Sequence, residues 1–139
     1  MPDDFDRCVD VVIRFEGGDM ITTDSGGTTK WGISTKAHPT LDVRNLTREQ
    51  AKDIYRSEYW VASGAEFLNW PMNLAILDCA VNQGVSIAVD IANDALDVAE
   101  VLVMRMIRYA KLAENRKDLR PYLRGWLNRL VKVWDASRE

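Results

Sequence analysis

Apolar residues recur at helical spacing along almost the whole chain, and the one long break in that rhythm is the Gly- and Thr-rich stretch from Gly17 to Gly32. A chain patterned in this way packs helices around a core and folds the break into a tight β-hairpin. The first stripe, Phe5, Cys8, Val9, Val12 and Ile13, runs one turn further into Glu16. A core-facing stripe that ends in a carboxyl group is unusual, because partial removal from water favours the protonated form of such a group, which is the state a general acid needs. Gly17 and Gly18 stop the helix and leave backbone room beside Glu16, and the hairpin that follows carries a second carboxylate, Asp24. Taken singly, each feature has a plain reading: a solvated last helical turn before a glycine cap, and an ordinary hairpin.

The remainder reads as helix. Thr47-Arg48-Glu49-Gln50 is a capping box with Leu46 and Ala51 placed as a hydrophobic staple, so a helix is predicted from about Arg48 to Trp60, its inner face marked by Ala51, Ile54, Tyr55 and Tyr59. Pro71 suits a first helical turn, and Ala75, Ile76, Cys79 and Ala80 with Gly84 beyond them describe a buried central helix. Asp78 and Asn82 lie one turn apart on it, as buried hydrogen-bonding groups or as substrate contacts. Ser86 is placed to cap the next helix, and Asp97 with Glu100 to restart a longer one through about Asn115. Pro121 opens the last helix, on which Leu123, Trp126, Leu127, Leu130, Val131 and Trp134 form a stripe.

Four separated segments share one resemblance. Glu16-Gly17-Gly18 with Asp24-Ser25-Gly26-Gly27-Thr28-Thr29-Lys30-Trp31-Gly32-Ile33-Ser34 resembles the signature of glycoside hydrolase family 108, the muramidases that include phage endolysins and secretion-activating proteins. Ile54-Tyr55-Arg56 with Tyr59-Trp60, Asp78-Cys79-Ala80-Val81-Asn82-Gln83-Gly84, and Gly125-Trp126-Leu127-Asn128-Arg129 extend it from about Phe5 to Leu130. The resemblance implies a mainly α, lysozyme-like helical domain with one small β-hairpin next to the active site, and residues 1–139 as one catalytic domain. It implies cleavage of the β-1,4 bond between N-acetylmuramic acid and N-acetylglucosamine, with Glu16 protonating the leaving oxygen, Asp24 stabilising the transition state or activating water, and Thr29 holding that water. Asp19, Trp31, Tyr59 and Asn82 are the candidate substrate contacts.

The chain also departs from the family pattern. Asp19 stands where relatives carry an aromatic residue, the Glu16-to-Asp24 spacing is shorter by one residue, and Ser86 to Glu100 is helix-like where relatives carry a peptidoglycan-binding-like stretch. Asp19 is therefore an alternative second carboxylate if the hairpin is shifted, and a non-hydrolytic wall-binding or phage structural protein on the same scaffold is the alternative function. A carboxyl separation of about 6.5–9.5 Å would give inversion and about 5 Å retention.

Composition narrows the partners. At 139 residues and 47% hydrophobic, the chain is long enough for a core of its own. No apolar run approaches the roughly 18 residues of a membrane span, and the acidic start Met1-Pro2-Asp3-Asp4 is unlike an export signal. The expectation is synthesis in a host cytoplasm, release through a holin or other export route, action in the periplasm on peptidoglycan glycan strands, and no stable membrane insertion. Cys8 and Cys79 lie on apolar faces as small buried hydrophobes, with a disulfide as the alternative. His38 has no ligand company, so neither a metal nor a cofactor is expected. Residues 1–104 hold 8 basic against 17 acidic side chains, a net of −9, and residues 105–139 hold 10 against 4, a net of +6. The basic third, which includes Arg105, Arg108, Lys111 and Arg129, reads either as an anion-attracting surface or as the solvated faces of two amphipathic helices. No nucleic-acid recognition signature accompanies it, and no nucleic-acid partner is expected.

Overall fold

The computed structural model describes residues 4–139. Helix α1 spans Asp4–Phe15, and its stripe of Phe5, Cys8, Val9, Val12 and Ile13 is buried as the spacing predicts. The helix closes on its glycines: the Gly18 N–H returns to the Ile13 carbonyl at 3.0 Å, with φ of 101° at Gly17 and 61° at Gly18.

The expected hairpin acquires a third strand. Strands β1 (Thr22–Asp24), β2 (Gly27–Lys30) and β3 (Ile33–Ser34) form an antiparallel sheet in that order. Its register sets Thr22 against Thr29, Asp24 against Gly27, and Thr29 against Ser34. Because side chains alternate along a strand and directly paired residues share a face, Thr22, Asp24, Thr29 and Ser34 lie on one side. The other side carries Thr23, Thr28, Lys30 and the buried Ile33. It packs toward a short 3₁₀ turn, Val43–Asn45, where Lys30 Nζ donates to the Arg44 carbonyl and Arg44 Nη2 to Thr23 Oγ1.

Helix α2 (Arg48–Tyr55) begins with the predicted capping box: Gln50 N–H donates to Thr47 Oγ1 and Thr47 N–H to Gln50 Oε1. Both staple residues, Leu46 and Ala51, are buried. From Arg56 to Val61 the chain continues as a π-helix instead of remaining α-helical to Trp60. Bonds from i to i+5 stack residues five apart, so Tyr55 and Trp60 both turn into the core, which an α-helix would not allow.

Helix α3 (Met72–Gln83) is central, with every residue from Asn73 to Ala80 buried and contacts to α1, to α4 (Val85–Asp94), to α5 (Val98–Asn115) and to α6 (Leu123–Ser137). Asp97 caps α5 through Glu100 N–H, and extended Ala95 separates α4 from α5, making them two helices. Three local expectations are corrected. Gly84 and not Ser86 precedes α4; Pro121 lies inside a 3₁₀ stretch, Lys117–Tyr122, and does not open α6; and Val131 and Trp134 are 57% and 38% exposed, so the last stripe is only half buried. Cys8 and Cys79 are buried and are not joined in a disulfide. No described helix is long and apolar enough to cross a membrane.

Candidate active site

Glu16 follows directly on α1, its N–H bonded to the Val12 carbonyl at 3.0 Å, and its side chain is 26% exposed. The stripe ends as predicted, yet the carboxyl does not meet an apolar wall. Arg129 Nη2, from α6, donates to Glu16 Oε1 at 3.1 Å. The second oxygen, Oε2, makes no hydrogen bond among the described residues. Gly32 backs the same side chain: its φ is +76°, and a Cβ there would stand 2.9 Å from Glu16 Cβ and overlap Tyr55 Oη. Only glycine lets the turn after β2 approach so closely. Tyr55 Oη donates to the Trp31 carbonyl at 2.7 Å and thereby pins this turn to α2. Burial first, and then the charge of Glu16, pushes the Tyr55 phenol well above its ordinary range; burial, Glu58 and Glu16 do the same to Tyr59.

Arg129 is shared. Its Nη2 and Nε also donate to Asp78 Oδ1 at 2.8 and 3.0 Å, and the other Asp78 oxygen accepts from Arg105 Nη1 at 2.8 Å. Asp78 and Arg105 are fully buried, and Arg105 is the bulkiest such side chain among the described residues. Arg105 spends its remaining donors on Gln83 Oε1 at 2.7 Å, Asn82 Oδ1 at 3.0 Å and Tyr109 Oη at 3.2 Å, while the Tyr109 hydroxyl also bonds Asn82 Oδ1. Two carboxylates and two guanidiniums alternate as Glu16, Arg129, Asp78, Arg105, a cluster without net charge. Burial is the largest influence on both arginines and opposes their charge, but the raising effects together outweigh it, those of Asp78, Tyr109 and Cys79 at Arg105 and those of Asp78 and Glu16 at Arg129, so both lie above their usual values. Such pairs persist away from water only when nearly every donor is satisfied.

This corrects the reading of the basic C-terminal third, since Arg105 and Arg129 neither line a surface nor sit on solvated faces. The signal was present, because Arg105 interrupts the buried run Val101, Leu102, Tyr109 and Arg129 adjoins buried Leu130. A cation on a core stripe demands a buried anion, and Asp78 is the one that lies on the central helix.

The other predicted residues lie on the sheet, on the turns that flank its strands, on the π-helix and on α3. Asp24 and Thr29 share the open face of the sheet, with Asp24 exposed and its Oδ1 accepting Gly26 N–H at 2.7 Å. Asp19 is exposed and lies off the sheet, in a depression of about 550 Å³ that Arg14, Arg48 and Trp31 also line. Trp31 has the uncommon φ of +56°; its indole N–H donates to the Leu46 carbonyl at 2.9 Å, and Arg48 lies 5.5 Å from its ring. Tyr59 is half-buried with its ring tilted against Tyr55. Asn82 is occupied by Arg105 and Tyr109, whose ring stacks on Trp126 at 4.9 Å.

The sequence profile of glycosyl hydrolase family 108 matches residues 9–84, more than half of the chain, from α1 through the sheet to the end of α3. The chain belongs to glycosyl hydrolase family 108. Its fold is similar to that in the solved structure of Brucella abortus SagA, with a TM-score of 0.72 over 96% of this chain and 92% of that one. At 23% identity the likeness is one of fold, the lysozyme-like helical fold. No curated protein matches the chain. Within this family 108 protein the profile covers Glu16, the sheet and Asp78, whereas Arg105 and Arg129 lie beyond its end.

Proposed function

We propose that this chain is an N-acetylmuramidase, hydrolysing the β-1,4 bond between N-acetylmuramic acid and N-acetylglucosamine in peptidoglycan, with residues 1–139 acting as one catalytic domain. The observation that carries this reading is Glu16: a partly exposed carboxyl at the end of a buried stripe, held through one oxygen by Arg129 and open at the other. Once protonated on its open oxygen, a carboxyl so positioned gives that proton to a leaving glycosidic oxygen. In this scheme Asp24 supplies the second carboxylate and Thr29 a hydroxyl for the attacking water, a reading supported by the register that sets both on one face of the sheet. Asp19, off the sheet, contacts substrate in this scheme and does not replace Asp24. Trp31 and Tyr59 border the site as surfaces for sugar rings, and Asn82 acts through the Arg105 cluster. A role as phage endolysin, made in the host cytoplasm and reaching the wall through a holin or other export route, belongs to the same proposal.

The test is digestion of purified Gram-negative peptidoglycan by wild type and Glu16→Gln, with the released muropeptides identified by mass spectrometry. New reducing muramic acid ends made by wild type alone are expected. A folded wild type that binds the polymer and releases nothing would sink the enzyme reading in favour of a wall-binding protein.

A further inference from the structure

The half-buried stripe of α6 adjoins a second exposed apolar face. On α5, Val103, Met106 and Ile107 are each between 43% and 49% exposed, and Leu96, just before the helix, is 87% exposed. These side chains project away from the face that buries Arg105; Val103 and Met106 line a groove with Val131 and Trp134 of α6, and Val103 also shares a second depression with Leu96 and Ile107. The groove between the two helices, about 350 Å³, is walled by Leu102, Met106, Leu127 and Trp134 and has no polar lining. Isolated exposed apolar residues need no explanation, but several that adjoin one another across two helices are a candidate contact surface.

The charges around it identify what covers it. At the start of α5 stand its cap, Asp97, and the half-buried Glu100, whose Oε2 accepts the Leu96 N–H at 2.6 Å, with no basic residue before Arg105; in the rest of α5 the exposed charges are Arg108, Lys111 and a single acid, Glu114. Glu100, Val103, Ile107, Ala110 and Glu114 follow one another at spacings of three and four, the repeat by which one helix seats against another. A helix that is acidic at one end, apolar in the middle and basic at the other end is complementary to itself when turned end for end. An axis crossing α5 between Val103 and Ile107 lays each copy's Val103 over the other's Ile107, and each copy's Glu100 over the other's Lys111.

We propose that α5, with the adjoining face of α6, is the two-fold seam of a homodimer. The assignment is independent of the muramidase reading. It is tested by sedimentation of the full chain between about 1 and 100 μM. Wild type is expected to form dimers, and Ile107→Asp to weaken them at least tenfold with unchanged circular dichroism. Glu100→Lys and Lys111→Glu separately set like charges across the axis and are expected to weaken association about fivefold or more. An equimolar mixture of the two single variants restores both cross-axis pairs and is expected to dimerise nearly as well as wild type. Wild type that stays monomeric at 100 μM overturns the proposal, as does a dimer indifferent to Ile107→Asp or a mixture no better than its components. Monomers that instead float with vesicles of phosphatidylcholine and phosphatidylglycerol overturn it in favour of a lipid surface.

Discussion

Arg129→Met removes three charge-assisted hydrogen bonds at once, two to Asp78 Oδ1 at 2.8 and 3.0 Å and one to Glu16 Oε1 at 3.1 Å. Deleting one partner of a buried ion pair costs about 3–5 kcal/mol, because the remaining charge is stranded away from water. Here the loss is smaller. Asp78 keeps Arg105 at 2.8 Å, and Glu16 can turn to solvent, so about 2–3 kcal/mol is expected. For a chain of this size that lowers Tm by roughly 6–10 °C. Urea unfolding of Arg129→Met, Asp78→Asn and the double variant measures the coupling directly, expected at about 1.5–3 kcal/mol. Arg129→Lys should fall between wild type and Arg129→Met, since an ammonium keeps the charge but cannot reproduce the fork that reaches both carboxylates. The same variants report on the site, because Glu16 loses the anchor that orients it, and turnover is expected to drop about 10–100-fold in Arg129→Met. Coupling below about 0.5 kcal/mol, with both single variants clearly destabilised, would refute the reasoning. It would mean that Arg129 acts through its packing over the Phe15 ring, 5.4 Å away, and that the charge cluster contributes little.

Gly32→Ala is expected to cost about 2–3 kcal/mol and to lower turnover more than tenfold, since the new methyl combines a left-handed backbone with overlap on Tyr55 Oη and pressure on Glu16; thermal melts beside muropeptide release test both effects. Thr47→Ala is expected to lose about 1 kcal/mol in urea unfolding with activity unchanged, because it removes one arm of the α2 capping box and touches nothing at the site. Burial pushes the Cys79 thiol up to about 11, so the native thiol should resist iodoacetamide at pH 8 and react promptly once the chain is unfolded in urea. The same shift makes stability fall with rising pH: between about 9 and 11 the unfolded chain has released this proton and the native chain still holds it. Denaturation midpoints at pH 7.5 and 10.5 should therefore differ in that direction, and a higher midpoint at pH 10.5 would contradict it.

Whatever depends on a few neighbouring residues was legible in the sequence. The stripe from Phe5 to Glu16, the glycines that end it, the Thr47–Gln50 box and the Asp97 cap at α5 are patterns within one or two turns, and backbone geometry turns each into structure without help from elsewhere. The same locality made Glu16 and Asp24 candidates, and the family resemblance added Thr29. The short strand β3 escaped notice because Ile33–Ser34 has no pattern of its own and exists only by pairing with β2.

The company that Glu16 keeps was settled by the tertiary structure. Asp78 lies 27 residues from Arg105 and 51 from Arg129, and Glu16 lies 113 from Arg129, so no local period connects them. A charge on a helix face reads as solvated by default, because burial without a partner is prohibitively costly. Only when three helices converge on Asp78 do the donors match the acceptors, and only then does burial of Arg105 become possible. Val131 and Trp134 show the converse: their stripe is apolar by sequence, but the curvature of the packed helices leaves it half outside, and apolar spacing alone does not say whether a face meets its own core or another molecule.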